Sequence, residues 1–375
     1  MKSAGKASSP AQRGCNRPSG WSVFLVGVAV VATNALSAPA LTGQARVRLS
    51  PCTSCGFRVS HEASIGSSAE PESPADRFHH DMVHDGRGRY FVRAGWPVTR
   101  ILVYNSVGNL ASVWGRRGDG PGEYRSIGQL LMLRGDSLGV ADQSNTRLTV
   151  LNSDGSVART QLLPISPYPH RIVQLDDGTL VVAGGEHTAA ASGYVMHLVR
   201  TDGSSSPFVP AGTVLRSRPS ASQRRLAAAG MTVWAARPDR YELTQYGTDG
   251  AVPLRILKRE VDWFPDREIE SPMDFAKEPP APFLADIHVD EEGFVWTMVR
   301  LADAEWAPVD DVALVVDEQR YDSIVEVIDP DRELVLRSQR FPWYGHGFTN
   351  DGLLVSERKD ALGVAVLDVW RPERK

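Results

Sequence analysis

The 375-residue chain carries 41 Lys and Arg against 45 Asp and Glu, a formal charge of −4, and 42% of its residues are apolar. This near-neutral balance argues against a nucleic-acid binder, which needs a basic face to neutralise phosphates. The length would suit two or three ordinary domains, but an all-β ring of repeats uses as much as one unit, and the apolar fraction supplies a sizeable core.

At the N-terminus, Lys2, Lys6, Arg13 and Arg17 precede an uncharged stretch over 18–45, whose apolar centre runs from Trp21 to Leu36. The first acidic residue is Glu62. A basic start, an apolar centre and small residues at the end describe a secretory signal peptide, assigned to residues 1–45. Cleavage fits after Ala40 or Ala45, and Ala45 is preferred because Pro39 sits badly in an extended cleavage site. The alternative is a retained anchor, since the run is nearly long enough to span a bilayer. Its short, Ser/Thr/Asn-interrupted centre favours cleavage, and no later segment reads as a membrane span. The protein is therefore expected in the periplasm or outside the cell, with no membrane insertion once the leader is removed.

Residues 46–56 form a short N-terminal segment holding Cys52 and Cys55. In an oxidising compartment this pair is expected to form a local disulfide. So short a loop closes little chain entropy and stabilises only slightly. A zinc site would need two further ligands, and the haem-attachment pattern would need a His after Cys55. Pro51 makes Cys52 a poor lipid-anchor site.

From residue 57 onward a hairpin recurs: an alternating apolar strand, then Asn, Asp or Thr and a Gly, then another strand. The turn glycines are Gly108, Gly155, Gly203 and Gly250, spaced at nearly constant intervals of about one four-stranded blade. Asp-Gly tolerates the positive φ that tight hairpin turns demand. A degenerate fifth copy runs from Val327 to Arg332. Between these hairpins a second element repeats, a turn followed by a mostly apolar strand, at Gly88, Asp136, Gly178, Gly230, Gly293 and Gly352. Near-continuous apolar strands imply that both faces are covered, as when blades stack. The pattern predicts an all-β, six-bladed β-propeller with four-stranded antiparallel blades over 57–375. The last copy lacks its final hairpin, so the strand from Phe57 to Ile65 is expected to complete the last blade and close the ring. The Ala-rich stretch from Gln223 to Ala229 reads as one or two helical turns. Two insertions interrupt the repeat, a Pro-rich one from Pro265 to Pro282 and a partly acidic one from Ala302 to Asp322.

The segment from Val113 to Tyr124, with Gly115, Gly118, Gly120 and Gly122, resembles the glycine-rich loop that joins blades in NHL-repeat propellers. The stretch from Gly139 to Val150, with Asp142, Asn145 and Arg147, is similar to that family's V-A-D-x-x-N-x-R-I-x-V strand pair. The match covers about two blades, residues 89–163, and fades to general propeller pattern elsewhere. The whole chain resembles exported bacterial six-bladed propellers of NHL/TolB-like type. These motif residues have structural roles: glycines for tight turns, Asp142 and Asn145 for loop backbone, and Arg147 as a partner for Asp142. The run is no phosphate cradle, because neither Lys-Ser/Thr nor a helix follows it.

Ligands of propellers gather at the central channel mouth, near the starts of the innermost strands. Aligned on the turn glycines, His80 and His170 each lie eight residues before a glycine, and His346 lies six before. Even offsets place them on one side of their strands, so they are candidate ligands for a divalent metal, Zn or Ca, in the channel. No other cofactor is expected. Arg171, Asp286 and Tyr344 complete the candidate binding set. A polar channel lining without any ligand role explains the same residues, and a register slip of one would turn a side chain away. No nucleophile elbow is present, and paired carboxylates such as Asp310-Asp311 fall in loops. The sequence therefore points first to a non-catalytic scaffold, expected to be a monomer. It would present a propeller face to a protein, small-molecule or glycan partner in the cell envelope. The alternative is a lactonase-like metal-dependent hydrolase or lyase with its site at the channel mouth. Elemental analysis of residues 46–375, purified without chelator, separates the two: near-stoichiometric metal that His170→Ala abolishes is the outcome a channel metal requires.

Overall fold

The computed structural model describes residues 47–50, 56–66, 82–94, 97–163, 171–184, 194–210, 223–250, 252–265, 278–308 and 320–373. Their strands form six antiparallel four-stranded blades of a propeller, five of them in sequence order; a short parallel strand, Val47–Arg48, adds to the edge of one blade, and Arg116–Arg117 pairs in parallel with Glu123–Tyr124 in the glycine-rich loop. The innermost strands are Met82–His84, Ile127–Leu133, Ile172–Gln174, Arg225–Ala229, Phe283–Val289 and Tyr344–Phe348, and they number the blades one to six. The second strands, Tyr90–Ala94, Ser137–Asp142, Leu180–Ala183, Thr232–Ala236, Val295–Ala302 and Leu354–Lys359, follow the six predicted turns. Blade six ends differently. Its third strand, Ala365–Pro372, pairs on its outer side with Val59–Ile65, from Val59 opposite Pro372 to Ile65 opposite Leu367. The ring is thus closed by the N-terminal strand, as the missing last hairpin required.

Apolar burial is divided among the seams between blades. Tyr90, Leu102 and Tyr104 of blade one meet Leu353, Leu367 and Ile65 of blade six. Phe91 and Ile101 meet Ile127 and Leu130 across the next seam, and the remaining junctions repeat the pattern. This explains the near-continuous apolar strands: each blade buries both faces.

The stretch from Gln223 to Ala229 corrects the helical expectation. Arg225–Ala229 is the innermost strand of blade four, with Ala227 opposite Trp234 and Leu226 opposite Ala235. Alanine favours helix only weakly as an isolated preference, and pairing with a buried neighbour overrides it. Small side chains also suit a position facing the crowded channel.

The glycine-rich loop is built as a bracket between blades one and two. Asp142 is fully buried and accepts hydrogen bonds from the amides of Arg125 (3.0 Å) and Ser126 (3.1 Å) and from the Asn145 side chain (2.8 Å). Arg147 comes no nearer than 3.9 Å to Asp142. Its main partners are the carbonyls of Asp119 (2.8 Å) and Glu123 (2.6 Å), so it pins the loop itself. Gly115 has φ +79°, and a β-carbon there would press on the Tyr124 ring. Glu123 caps the same loop by accepting from the Gly120 amide (2.9 Å). The Tyr124 hydroxyl is buried without a hydrogen-bond partner, and burial pushes its pKa up to about 12. An unsatisfied buried hydroxyl destabilises. Tyr124→Phe is therefore expected to leave stability unchanged or raise it by about 1 kcal/mol in urea unfolding, and a clear loss would show that the hydroxyl is satisfied.

Candidate functional site

The six innermost strands surround a cavity of about 210 Å³, lined by residues of every blade, among them Met82, Leu131, Arg171, Ala227, Asp286 and Phe348. Arg171 of blade three and Asp286 of blade five meet in it, with Arg171 Nη2 2.5 Å from Asp286 Oδ1. The pair reaches past blade four, whose lining residues Leu226, Ala227 and Ala228 are short enough to leave room. Asp286 is 2% exposed. Its Oδ1 accepts the Ile287 amide (2.9 Å) and its Oδ2 the Phe348 amide (3.0 Å), so two backbone donors stabilise the buried carboxylate besides the guanidinium. Gly347, at φ +153°, makes this possible, because a β-carbon there would strike Asp286 Oδ2.

Neighbouring strands are held by side chains that replace ladder bonds. Gln129 donates to the Ile172 carbonyl (2.9 Å) and accepts from the Ile172 amide (2.6 Å), which fixes the strand start next to Arg171. Arg300, 4% exposed, donates to the Gly345 carbonyl and to the Tyr344 hydroxyl, both at 2.5 Å. Its guanidinium carbon also lies 4.0 Å from the centre of the Tyr344 ring, a cation–π contact. His346 packs edge-on against Tyr344 at 5.2 Å and shares a 2.7 Å hydrogen bond between its Nε2 and Glu357 Oε2. Lys359 Nζ lies 3.3 Å from the other Glu357 oxygen. Burial opposes ionisation of Glu357, but the His346 hydrogen bond and charge and the Lys359 ammonium outweigh it, and its carboxyl is held below the usual range.

Of the residues singled out in the sequence, Arg171 and Asp286 are brought into direct contact in the channel. Tyr344 and His346 are neighbours of each other and do not line this cavity. His80, His170, Cys52 and Cys55 lie outside the described residues, and among the described residues no group of three His, Cys, Asp or Glu has metal-binding geometry. Sequence reasoning missed Arg300, Gln129 and His288. A lone Arg within the apolar run of Val295–Ala302 is the signal that could have revealed the first. His288 lies on the innermost strand of blade five, Phe283–Val289. It lines the channel cavity and also a second cavity of about 390 Å³ between blades five and six, with Asp290, Trp296, Asp351 and Arg371. The edges of the Pro-rich insertion, Trp263, Pro265, Pro279 and Pro280, line a separate apolar depression beside Leu301.

No protein-family model matches the chain, and no curated protein sequence matches it. Solved structures do. A Bacteroides fragilis protein named as exported is 13% identical, with a TM-score of 0.57, over 88% of this chain and 99% of its own. A member of the DUF4221 family from Bacteroides vulgatus is 10% identical, with a TM-score of 0.58, over 85% of this chain and 99% of its own. At such identities the likeness is one of fold, and it agrees with the six-bladed ring.

Asp351, in the second cavity, joins blade six to blade one through a 2.8 Å contact between its Oδ2 and His84 Nδ1. Burial raises its carboxyl, but bonds from His84 and Thr349 and the nearby His84 charge prevail, and the net shift is downward. A depressed carboxyl contributes stability above its unfolded value, 3.8, and loses it as pH falls through the lower folded value. Asp351→Asn is expected to cost about 0.5 kcal/mol near pH 5 after solvent screening, with the difference from wild type shrinking once the pH falls below 3.8 toward the depressed folded value. Urea unfolding over this pH range measures this.

Proposed function

We propose that the chain is an exported, non-catalytic binding propeller of NHL-repeat/TolB-like type that holds a small-molecule, glycan or peptide ligand of the cell envelope at its channel mouth. The observation that carries this reading is the Arg171–Asp286 pair, set in a cavity to which all six blades contribute. A partly exposed guanidinium against a backbone-stabilised carboxylate is a polar anchor in an otherwise half-apolar channel, the usual composition of ligand sites. Rigid blades with seams fixed by Gln129 and Arg300 preorganise that anchor. Export is supported by the basic-then-apolar N-terminus and by a structural neighbour named as exported. The type is supported by the glycine loop, in which Asp142 accepts from the Arg125 and Ser126 amides as the resemblance implies, whereas Arg147 departs from it by bonding loop carbonyls in place of Asp142.

One observation favours the second reading, a metal-dependent hydrolase or lyase. Glu357 bonds His346 in the way carboxylates orient metal-ligating histidines. Metal bound by the chain and lost in His346→Ala, with turnover of an ester or lactone lost alongside, would put this reading first.

The binding reading is tested by thermal denaturation of the chain against envelope oligosaccharides, peptides and small anions. At least one class is expected to raise the midpoint saturably, and Arg171→Gln to weaken that ligand about tenfold or more. Arg159→Gln, on the outer strand of blade two, is expected to bind as wild type. Equal binding by Arg171→Gln, or no response to any class, would remove the channel from the reading.

A further inference from the structure

The outer rim holds a segment that the channel does not use. Val47–Arg48 pairs in parallel with the end of the outer strand of blade four, Pro253–Lys258, placing Val47 opposite Leu257 and Arg48 opposite Lys258. The Leu49 amide donates to the Lys258 carbonyl (3.0 Å) and the Ser50 amide to the Glu333 carbonyl (3.1 Å). The Val335 amide then donates to the Ser50 carbonyl (3.3 Å). These four residues therefore begin on blade four and end on blade five. Leu49 is 2% exposed and packs in the seam between those blades with Leu257 and Val335. Arg48 forms an ion pair with Glu260.

Blade four is already complete without this addition. Its sheet has the four strands that the other blades have, and Val47–Arg48 is a fifth. Val59–Ile65 is different: it supplies a missing fourth strand through six registered pairs. Residues 47–50 gain one buried leucine, one exposed ion pair, the parallel ladder pairing of two residues and three further backbone hydrogen bonds, against the conformational entropy of four ordered residues. The gains and the ordering cost are of the same order, and the strap is an addition to a blade that already has its four strands. An uncovered edge, by contrast, offers unpaired amides and carbonyls to any extended chain.

We infer that the outer edge of blade four is a strand-acceptor site and that residues 47–50 occupy it as a detachable strap. The edge takes an extended segment in parallel, with an apolar side chain at the Leu49 position and a basic one before it to meet Glu260. Its resident occupant is the chain's own N-terminal segment, and the fit is independent of whatever the channel binds.

Amide hydrogen exchange on the full chain tests this. Leu49→Asp is expected to speed exchange about tenfold in peptides covering 253–258 and 334–341, and to leave blades one to three unchanged. The melting midpoint should stay within about 2 °C of wild type. A synthetic peptide copying residues 45–50 at millimolar concentration should restore protection to that variant, whereas the same peptide with Asp at the Leu49 position should not. As a milder probe, Arg48→Glu should speed exchange there about twofold, and Glu260→Arg in the same chain should reverse it. Faster exchange in every blade with a falling midpoint would make the segment an integral strand and overturn the strap. Unchanged exchange in Leu49→Asp, or no discrimination between the peptides, would overturn the acceptor site.

Discussion

The structure depends on a single act of pairing, that of Val59–Ile65 with Ala365–Pro372. Every blade has two apolar faces, and each face is buried only by the next blade. An open ring would leave two such faces in water, so closure protects the burial of all the others. The closing pair is reinforced by specific contacts. Ser64 donates to Asp368 (2.6 Å), Arg371 bonds Glu62 (2.8 Å), and the Glu373 amide reaches the Arg58 carbonyl (2.8 Å). Blade one leans on the same strand: the turn glycine Gly108, at φ +87°, lies so near the Ser64 carbonyl that any β-carbon would collide with it.

Closure fixes the blades in a ring, and buried polar groups fix their relative rotation. Arg93 of blade one donates to the Ile127 (2.9 Å) and Gly128 (2.5 Å) carbonyls of blade two, and Arg300 of blade five treats Gly345 of blade six alike. At the seam of blades four and five, Glu326 accepts from Tyr241 (2.7 Å) and from Arg259 Nε and Nη2 (3.0 Å each). Burial and the Glu326 charge hold the Tyr241 hydroxyl well above its ordinary pKa. Apolar seams are tolerant of sliding, whereas a directional bond to a named carbonyl is not. The channel inherits its geometry from these bonds, since Gln129 sets Ile172 and Asp286 bonds the Phe348 amide of the following blade.

The sequence made the ring legible because its signals are local and repeated. A turn glycine at Gly88 or Gly178 announces a strand whose both-face burial shows in its own residues. The missing final hairpin announced Val59–Ile65. Blade four's inner strand was misread because Ala227, Ala228 and Ala229 carry no local β signal; their environment, not their propensity, makes them a strand. The candidate site was only half legible for a related reason. Arg171 and Asp286 are far apart in sequence, and their contact depends on the twist and stagger of two nonadjacent blades, which no spacing encodes. The bulge between Gly345 and Gly347 shifts the register of the strand bearing His346, so counting even offsets could not fix which way that ring points.

The pairing that closes the ring also imposes an order in time. Vectorial synthesis makes the strand from Val59 to Ile65 before any complete blade and its partner from Ala365 to Pro372 after all the others. Throughout that interval the early strand is an unpaired edge with one apolar face, and the finished blades present an unmatched seam. The nascent molecule is consequently most vulnerable to mispairing and proteolysis just before completion. Crossing an envelope unfolded and assembling on the far side would shorten that exposure to the moment when both ends of the chain are present together.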